Sequence, residues 1–222
     1  MPEHLRREIE NLKKKTLAMS AVIEENLARA TRSVSERDPA LAREVIDTDI
    51  EIDQMEVDVE EDCLKILALH QPVAIDLRFI IAVLKINTDL ERVGDLAVNI
   101  AERSIYLAGQ PRICMPFDFT AMTTKVQKML SDAIDSLVNL DTRLAHAVRA
   151  QDDEVDAMNR EMYQAVKELI TGDPEHVNCL LHALSIGRHL ERIADHATNI
   201  AEDVVYLVDA EIVRHTPETY EE

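Results

Sequence analysis

Carboxylates spaced four residues apart are the groups in this chain best placed to do chemistry. Asp49 and Asp53 form one such pair, and Glu91 and Asp95 form another. On a helix, Glu91, Asp95, Asn99 and Glu102 fall within a stripe roughly 80° wide. Like charges at that spacing weaken a helix by about 0.2–0.5 kcal/mol per pair, so the stripe needs open water or a compensating cation. Asp49, Asp53, Glu56 and Glu60 make a second row, with Ile52, Met55, Val59 and Cys63 in the adjoining sector. Both stripes therefore border core. If their helices are neighbours, four carboxylates converge, a donor set suited to Mg²⁺, Mn²⁺, Ca²⁺, iron or Zn²⁺. The same is expected of Asp152, Asp156, Glu191 and Asp195, with Asn99, Glu102, Asn199 and Glu202 as outer candidates.

Other chemistry finds less support. Glu-x-x-His, which ferritin-like di-iron sites take from two helices, does not occur. His189 and His196 flank the second acidic stripe and read more readily as capped or solvent-facing side chains than as ligands. There is no Gly-rich phosphate loop, no nucleophile elbow and no Cys–His pairing. Cys63, Cys114 and Cys179 lie far apart and are odd in number, so they read as small core residues in a reducing cytosol.

These side chains need rigid elements, and proline marks where the elements begin and end. Six long helices are expected, because proline is tolerated in a first turn and disruptive later. The first spans about residues 5–36. Asp38-Pro39 caps a second that runs to about His70. A third covers about residues 75–108 and stops at Gly109, and Arg112 to Phe117 is a linker. A fourth runs over about residues 119–150, with Gln151-Asp152-Asp153 as a tight turn or an N-cap. A fifth ends near Ile170, a sixth covers about residues 175–208, and the tail His215 to Glu222 is frayed. Leu90, Val93, Ala97, Ile100, Ser104 and Leu107 trace the seam of a helical bundle.

An internal repeat organises the whole chain. LERVGDLAVNIAERSIYL at 90–107 and LERIADHATNIAEDVVYL at 190–207 are identical at 11 of 18 positions. Bundle packing alone would copy hydrophobicity; here Glu91, Arg92, Asp95, Asn99 and Glu102 are copied as well. A weaker echo pairs residues 49–55 with 152–158 at an offset of 103. The chain thus reads as all-α, two tandem three-helix bundles over residues 1–112 and 113–222.

Composition agrees. Aromatics are 3% of the 222 residues and glycines number 4, which argues against a β-sandwich or barrel. A net charge of -19 repels phosphate backbones and anionic headgroups, so nucleic acid and lipid are poor partners and free phosphate a poor ligand. The longest strongly apolar stretch, 79–84, is far short of the roughly 20 residues that span a bilayer, and no signal-peptide segment is read at the start.

Two passages resemble the PhoU family of phosphate-transport regulators: residues 71–80 leading into Leu90-Glu91-Arg92-Val93-Gly94-Asp95, and residues 188–202. The LER-x-x-D-x-A-x-N-I-A-E pattern is present twice. The resemblance implies two three-helix bundles side by side. It implies acidic motif pairs that bind iron or zinc clusters in some members, here Asp49/Asp53 with Glu91/Asp95 and Asp152/Asp156 with Glu191/Asp195. It also implies a cytoplasmic homodimer, peripheral to the inner membrane, that restrains the phosphate ABC transporter through its ATPase and the sensor histidine kinase. The repeats differ where His189 stands for Asp89, Ala194 for Gly94, and Asn159 and Tyr163 for Glu56 and Glu60. The expected function is negative regulation of phosphate uptake and starvation signalling by a protein that is not an enzyme. A carboxylate-bridged metalloenzyme and a metal-free helical scaffold are the alternatives.

Overall fold

The computed structural model describes residues 3–111, 119–172 and 174–213. The expected linker 112–117, Cys114 and the tail 215–222 lie outside these residues. Six helices follow in order: α1 (Glu3–Glu36), α2 (Pro39–His70), α3 (Ala74–Ala108), α4 (Phe119–Asn139), α5 (Thr142–Gly172) and α6 (Val177–Asp209). A single 3₁₀ turn, Pro174–His176, leads into α6. No strand occurs among the described residues. At 1.5 Å per residue the 35 residues of α3 reach about 52 Å, so the bundle axis is long enough to separate distinct sites.

Helices α1, α2 and α3 pack on one another, and α4, α5 and α6 repeat that arrangement. The two bundles meet chiefly along α3 and α6, with α1 also touching α4. Small residues keep the interiors tightly packed: Ala97 and Ala101 on α3, and Ala197 and Ala201 on α6, are all fully buried. One apolar core runs through both bundles, from Leu12, Ile23 and Ile52 to Val126, Val155 and Ile200. Burying a large aliphatic side chain contributes about 1.5–3 kcal/mol, and this core is the main source of stability.

The sequence places α1, α2, α3 and α6 to within about two residues, but it misplaces one boundary. Residues 151–153 lie inside α5, and the break falls at Leu140-Asp141. Leu140 adopts a left-handed φ of 52°, and Asp141 accepts hydrogen bonds from the Arg143 and Leu144 backbone N–H at 2.9 and 3.1 Å. Arg37 and Asp38 make the same turn in the first bundle, with φ 58° at Arg37 and N–H bonds from Ala40 and Leu41 to Asp38. The 103-residue offset maps Asp38 onto Asp141, so the repeat itself carries this signal. Capping of this kind stabilises a helix by about 1 kcal/mol.

Candidate metal centre

The expected neighbours are neighbours. Helices α2 and α3 pack antiparallel, and their acidic rows face each other beside the buried Ile52, Val59, Val93 and Ala97. Gly94 opens the gap: a Cβ there would stand 3.2 Å from Ile52 Cγ2 and 3.7 Å from the Asp49 carboxylate, so Asp49 lies against the α3 backbone. Burial, then Asp53 and Asp95, raise the Asp49 pKa to about 6. Glu91 is raised by burial and by Asp95, Glu56 and Asp53, partly offset by Arg92. Glu56 is raised by burial, Glu60 and Asp53. Asp49, Asp53, Glu91 and Asp95 thus form one electrostatic cluster with Glu56 and Glu60 at its end.

The second bundle builds the same cluster from α5 and α6. Burial, then Asp195 and Asp156, raise Asp152 to about 6, while a Thr198 hydrogen bond opposes the shift. Asp195 also rises to about 6, through burial, Glu191 and Asp156, opposed by His196 and Arg192. Glu191 rises through burial, Asp156 and Asp152, opposed by Arg188 and Arg192. Each half therefore assembles carboxylates whose ionised forms repel one another, and a bound cation relieves that repulsion.

The outer candidates are engaged in other contacts. Asn99 donates to the Asp95 carbonyl at 2.8 Å, and Glu102 pairs with Arg103 at 3.1 Å. Asn199 donates to Asp89 at 3.2 Å, and Glu202 pairs with Arg149 at 3.6 Å. In donor type the clusters fit a hard or borderline cation, because every inner side chain offers carboxylate oxygens. Among the described residues, no three His, Cys, Asp or Glu side chains stand close enough to hold a metal ion in the conformations seen. The local reason is visible. Asp95 is turned to Arg92 at 3.1 Å, and Asp156 to Arg160 at 3.3 Å. Both arginines are exposed on the same helices as the acids they hold, and such surface pairs are weak.

Sequence reasoning missed the polar contacts between the bundles. Asp89 on α3 accepts from His196 Nδ1 at 2.7 Å, beside Asn199. Lys85 reaches the buried Asp203 carboxylate at 3.1 Å and lies over the Tyr206 ring. Tyr106 stacks on His182 with ring centroids 3.8 Å apart. His189 meets Ser185 through Nε2, and burial with nearby Arg103 lowers its pKa to about 4. Its expected role as a capped or exposed residue is thus replaced by a neutral, half-buried one. Many of these residues share a signal: they sit where the repeats disagree. Lys85 becomes Ser185, Asp89 becomes His189, Leu96 becomes His196 and Arg103 becomes Asp203. A seam between two copies needs complementary partners, not identical ones.

No described helix is long and apolar enough to cross a membrane. The PhoU domain model matches twice, at residues 16–104 and 119–204. A phosphate-specific transport system accessory protein PhoU homolog of Aquifex aeolicus is 39% identical over 209 residues, 94% of this chain and 95% of that protein. The homolog of Pseudomonas aeruginosa PAO1 is 39% identical over 212 residues, 94% of this chain and 86% of that protein. The crystal structure of PhoU from Pseudomonas aeruginosa superposes with a TM-score of 0.89 at 35% identity, covering 93% of this chain and 99% of that one. The phosphate transport system regulatory protein PhoU from Streptococcus pneumoniae gives 0.88 at 26% identity, covering 94% and 99%. With both bundles matched and the duplicated acidic helices in register, this chain belongs to the PhoU domain family.

Proposed function

We propose that this chain is an accessory regulator of phosphate uptake that restrains the transporter when phosphate is plentiful. In this reading it works by protein–protein contact with the ATPase of the phosphate ABC transporter and with a sensor histidine kinase. It acts in the cytoplasm, beside the inner membrane, as a homodimer without catalytic activity of its own. The transport role is supported by its relatives, which are named phosphate-specific transport system accessory proteins and span nearly the same length.

The observation that carries the structural half of the proposal is the twofold occurrence of a half-buried carboxylate cluster on paired helices. Asp49, Asp53, Glu91 and Asp95 would hold metal in the first bundle, and Asp152, Asp156, Glu191 and Asp195 in the second. Iron or zinc bound there would neutralise the two faces and fix the register of α2 on α3 and of α5 on α6. The chain's own residues supply the rest. Arg92 and Arg160 release their carboxylates, and the buried Ile52, Val155 and Val59 keep the helices in contact.

Two measurements test this reading. Affinity capture with the transporter ATPase and the kinase, at high and low phosphate, should retain at least one of them in a phosphate-dependent way; retention of neither removes the signalling role. Elemental analysis of the purified chain should find iron or zinc. An absence of metal, with no change in melting temperature on adding metal or chelator, would establish the scaffold reading in which both acidic faces are merely hydrated. Turnover that depends on added iron, manganese or zinc would establish the metalloenzyme alternative.

A further inference from the structure

One groove of the second bundle is lined by two arginines. This groove, of about 490 Å³, opens between α5 and α6, lined by Asn159, Arg160, Tyr163 and Gln164 from α5 and by Leu184 and Arg188 from α6. Carried onto the first bundle by the repeat offsets, these positions are Glu56, Val57, Glu60, Glu61, Leu84 and Thr88. The second bundle thus exchanges three carboxylates for two amides and a phenol, and gains two guanidinium groups. The apolar wall is retained. Arg188 is exposed and forms no ion pair among the described residues. Arg160 uses one nitrogen on Asp156 at 3.3 Å, which leaves the rest of its donor fork open.

We propose that this groove binds a tetrahedral phosphate-type dianion, either free phosphate or the phosphate group of a small monoester. Guanidinium groups from two facing helices offer planar, paired donors to such a group, and the Asn159 and Gln164 amides add uncharged ones. Two cations on one groove match two negative charges better than a lone carboxylate does. The cavity falls in the size range of ordinary small-molecule sites. The space beside Tyr163 and Leu184 therefore accommodates an organic body as well as the anion. Glu191 also lines the groove and opposes an anion. Arg188 and Arg192 both act on that carboxylate, so the opposing charge is already partly compensated. The overall charge of -19 acts weakly at this range, because salt screens it beyond about 8 Å. This proposal departs from the expectation that a chain this acidic avoids phosphate, at a groove where two arginines stand for a valine and a threonine of the first bundle.

The site needs no metal; it borders the second quartet through Glu191 and Asp156, but Arg188 belongs to neither quartet, so a test on Arg188 can fail without deciding the metal reading. The full chain, stripped on a chelating resin, is titrated calorimetrically with inorganic phosphate and, in a separate arm, with adenosine monophosphate. At least one probe should bind saturably at one site and weaken as salt is raised. Arg188→Ala should weaken binding about tenfold or more, and Arg188→Lys should restore part of it. Arg188 is exposed and its first-bundle counterpart is Thr88, so the variant keeps its fold, which circular dichroism checks. Equal affinity for the two probes identifies free phosphate as the ligand, and tighter binding of the nucleotide identifies a monoester. No saturation by either probe up to roughly 10 mM, or binding unchanged in folded Arg188→Ala, overturns the proposal.

Discussion

The two bundles are built on one plan and diverge on one face. In the first, the acidic row of α2 continues from Asp49 and Asp53 into Glu56 and Glu60, and Arg92 is the cation held against Glu91 and Asp95 at 3.4 and 3.1 Å. In the second, the row stops at Asp156, and Asn159 and Tyr163 follow. Arg188, Arg192 and His196 all temper the remaining carboxylates. The inner quartet is the shared requirement. The flanks set how much positive charge each quartet still calls for, and by that measure the first bundle is the more demanding.

The largest expected effect separates the quartets directly. Asp53→Asn with Asp95→Asn should reduce metal affinity in the first bundle by about 100-fold or more, since even supporting residues around a metal cost 10–100-fold. The matching pair Asp156→Asn with Asp195→Asn should leave the first bundle's metal in place. Metal content per chain by elemental analysis reads both outcomes. Equal loss from either variant would mean that the two centres do not load independently.

A second contrast lies along the seam between the bundles. Lys85→Ala removes the ammonium that reaches the buried Asp203 and should cost about 2 kcal/mol in chemical denaturation. Ser185→Ala, at the equivalent position of the second bundle, removes only the hydrogen bond to the half-buried His189 and should cost about 1 kcal/mol. Similar values for the two would show that the Lys85–Asp203 pair contributes no more than an ordinary hydrogen bond.

Acidity sharpens the comparison further. In metal-stripped protein, Asp49, Asp152 and Asp195 have folded pKa values near 6, above their ordinary 3.8. A raised folded pKa means that the folded chain holds the proton more tightly. Stability from this source is full below about pH 4 and is lost as pH rises through 6. Melting temperature should therefore increase on going from pH 7 to pH 5. Each group contributes about 1 kcal/mol after allowance for its partial exposure to solvent. Two of the three groups belong to the second bundle, so Asp152→Asn with Asp195→Asn should flatten the profile more than Asp49→Asn. Loaded protein should show the reverse slope, because protons compete with the metal for the same oxygens.

The smallest expected effect concerns Gly94. Its second-bundle counterpart is Ala194, and an added methyl meets Ile52 at 3.2 Å. Gly94→Ala gains helix propensity of about 1 kcal/mol and loses some of it to crowding, so stability should move by no more than about 0.5 kcal/mol. A change in metal content would show that the close approach of Asp49 to the α3 backbone serves the site.

Much of this was legible in the residues. The two LER segments and the proline intervals give the six helices, and the spacing of the acids places them beside the core. Two features were not. Gln151-Asp152-Asp153 looked like a break because it is polar, but that polarity belongs to the start of the acidic stripe, whereas the true break at Leu140-Asp141 has neither proline nor glycine to announce it. The contacts of Asp89 with His196 and of Lys85 with Asp203 join residues more than 100 positions apart. No local period encodes such pairs; only the mismatches between the two copies mark them. The convergence of the quartets follows from helix phase, but the rotation of Asp95 and Asp156 towards arginine depends on side-chain torsions that spacing does not fix.

The clasp between Asp89 and His196 has one further consequence. Asp89 lies two residues before Glu91, and His196 directly follows Asp195. Alongside Lys85–Asp203 and the Tyr106–His182 stack, this hydrogen bond helps fasten together the two rods that each carry half of a different quartet. Sliding either rod by even a fraction of a turn would drag on this fastening.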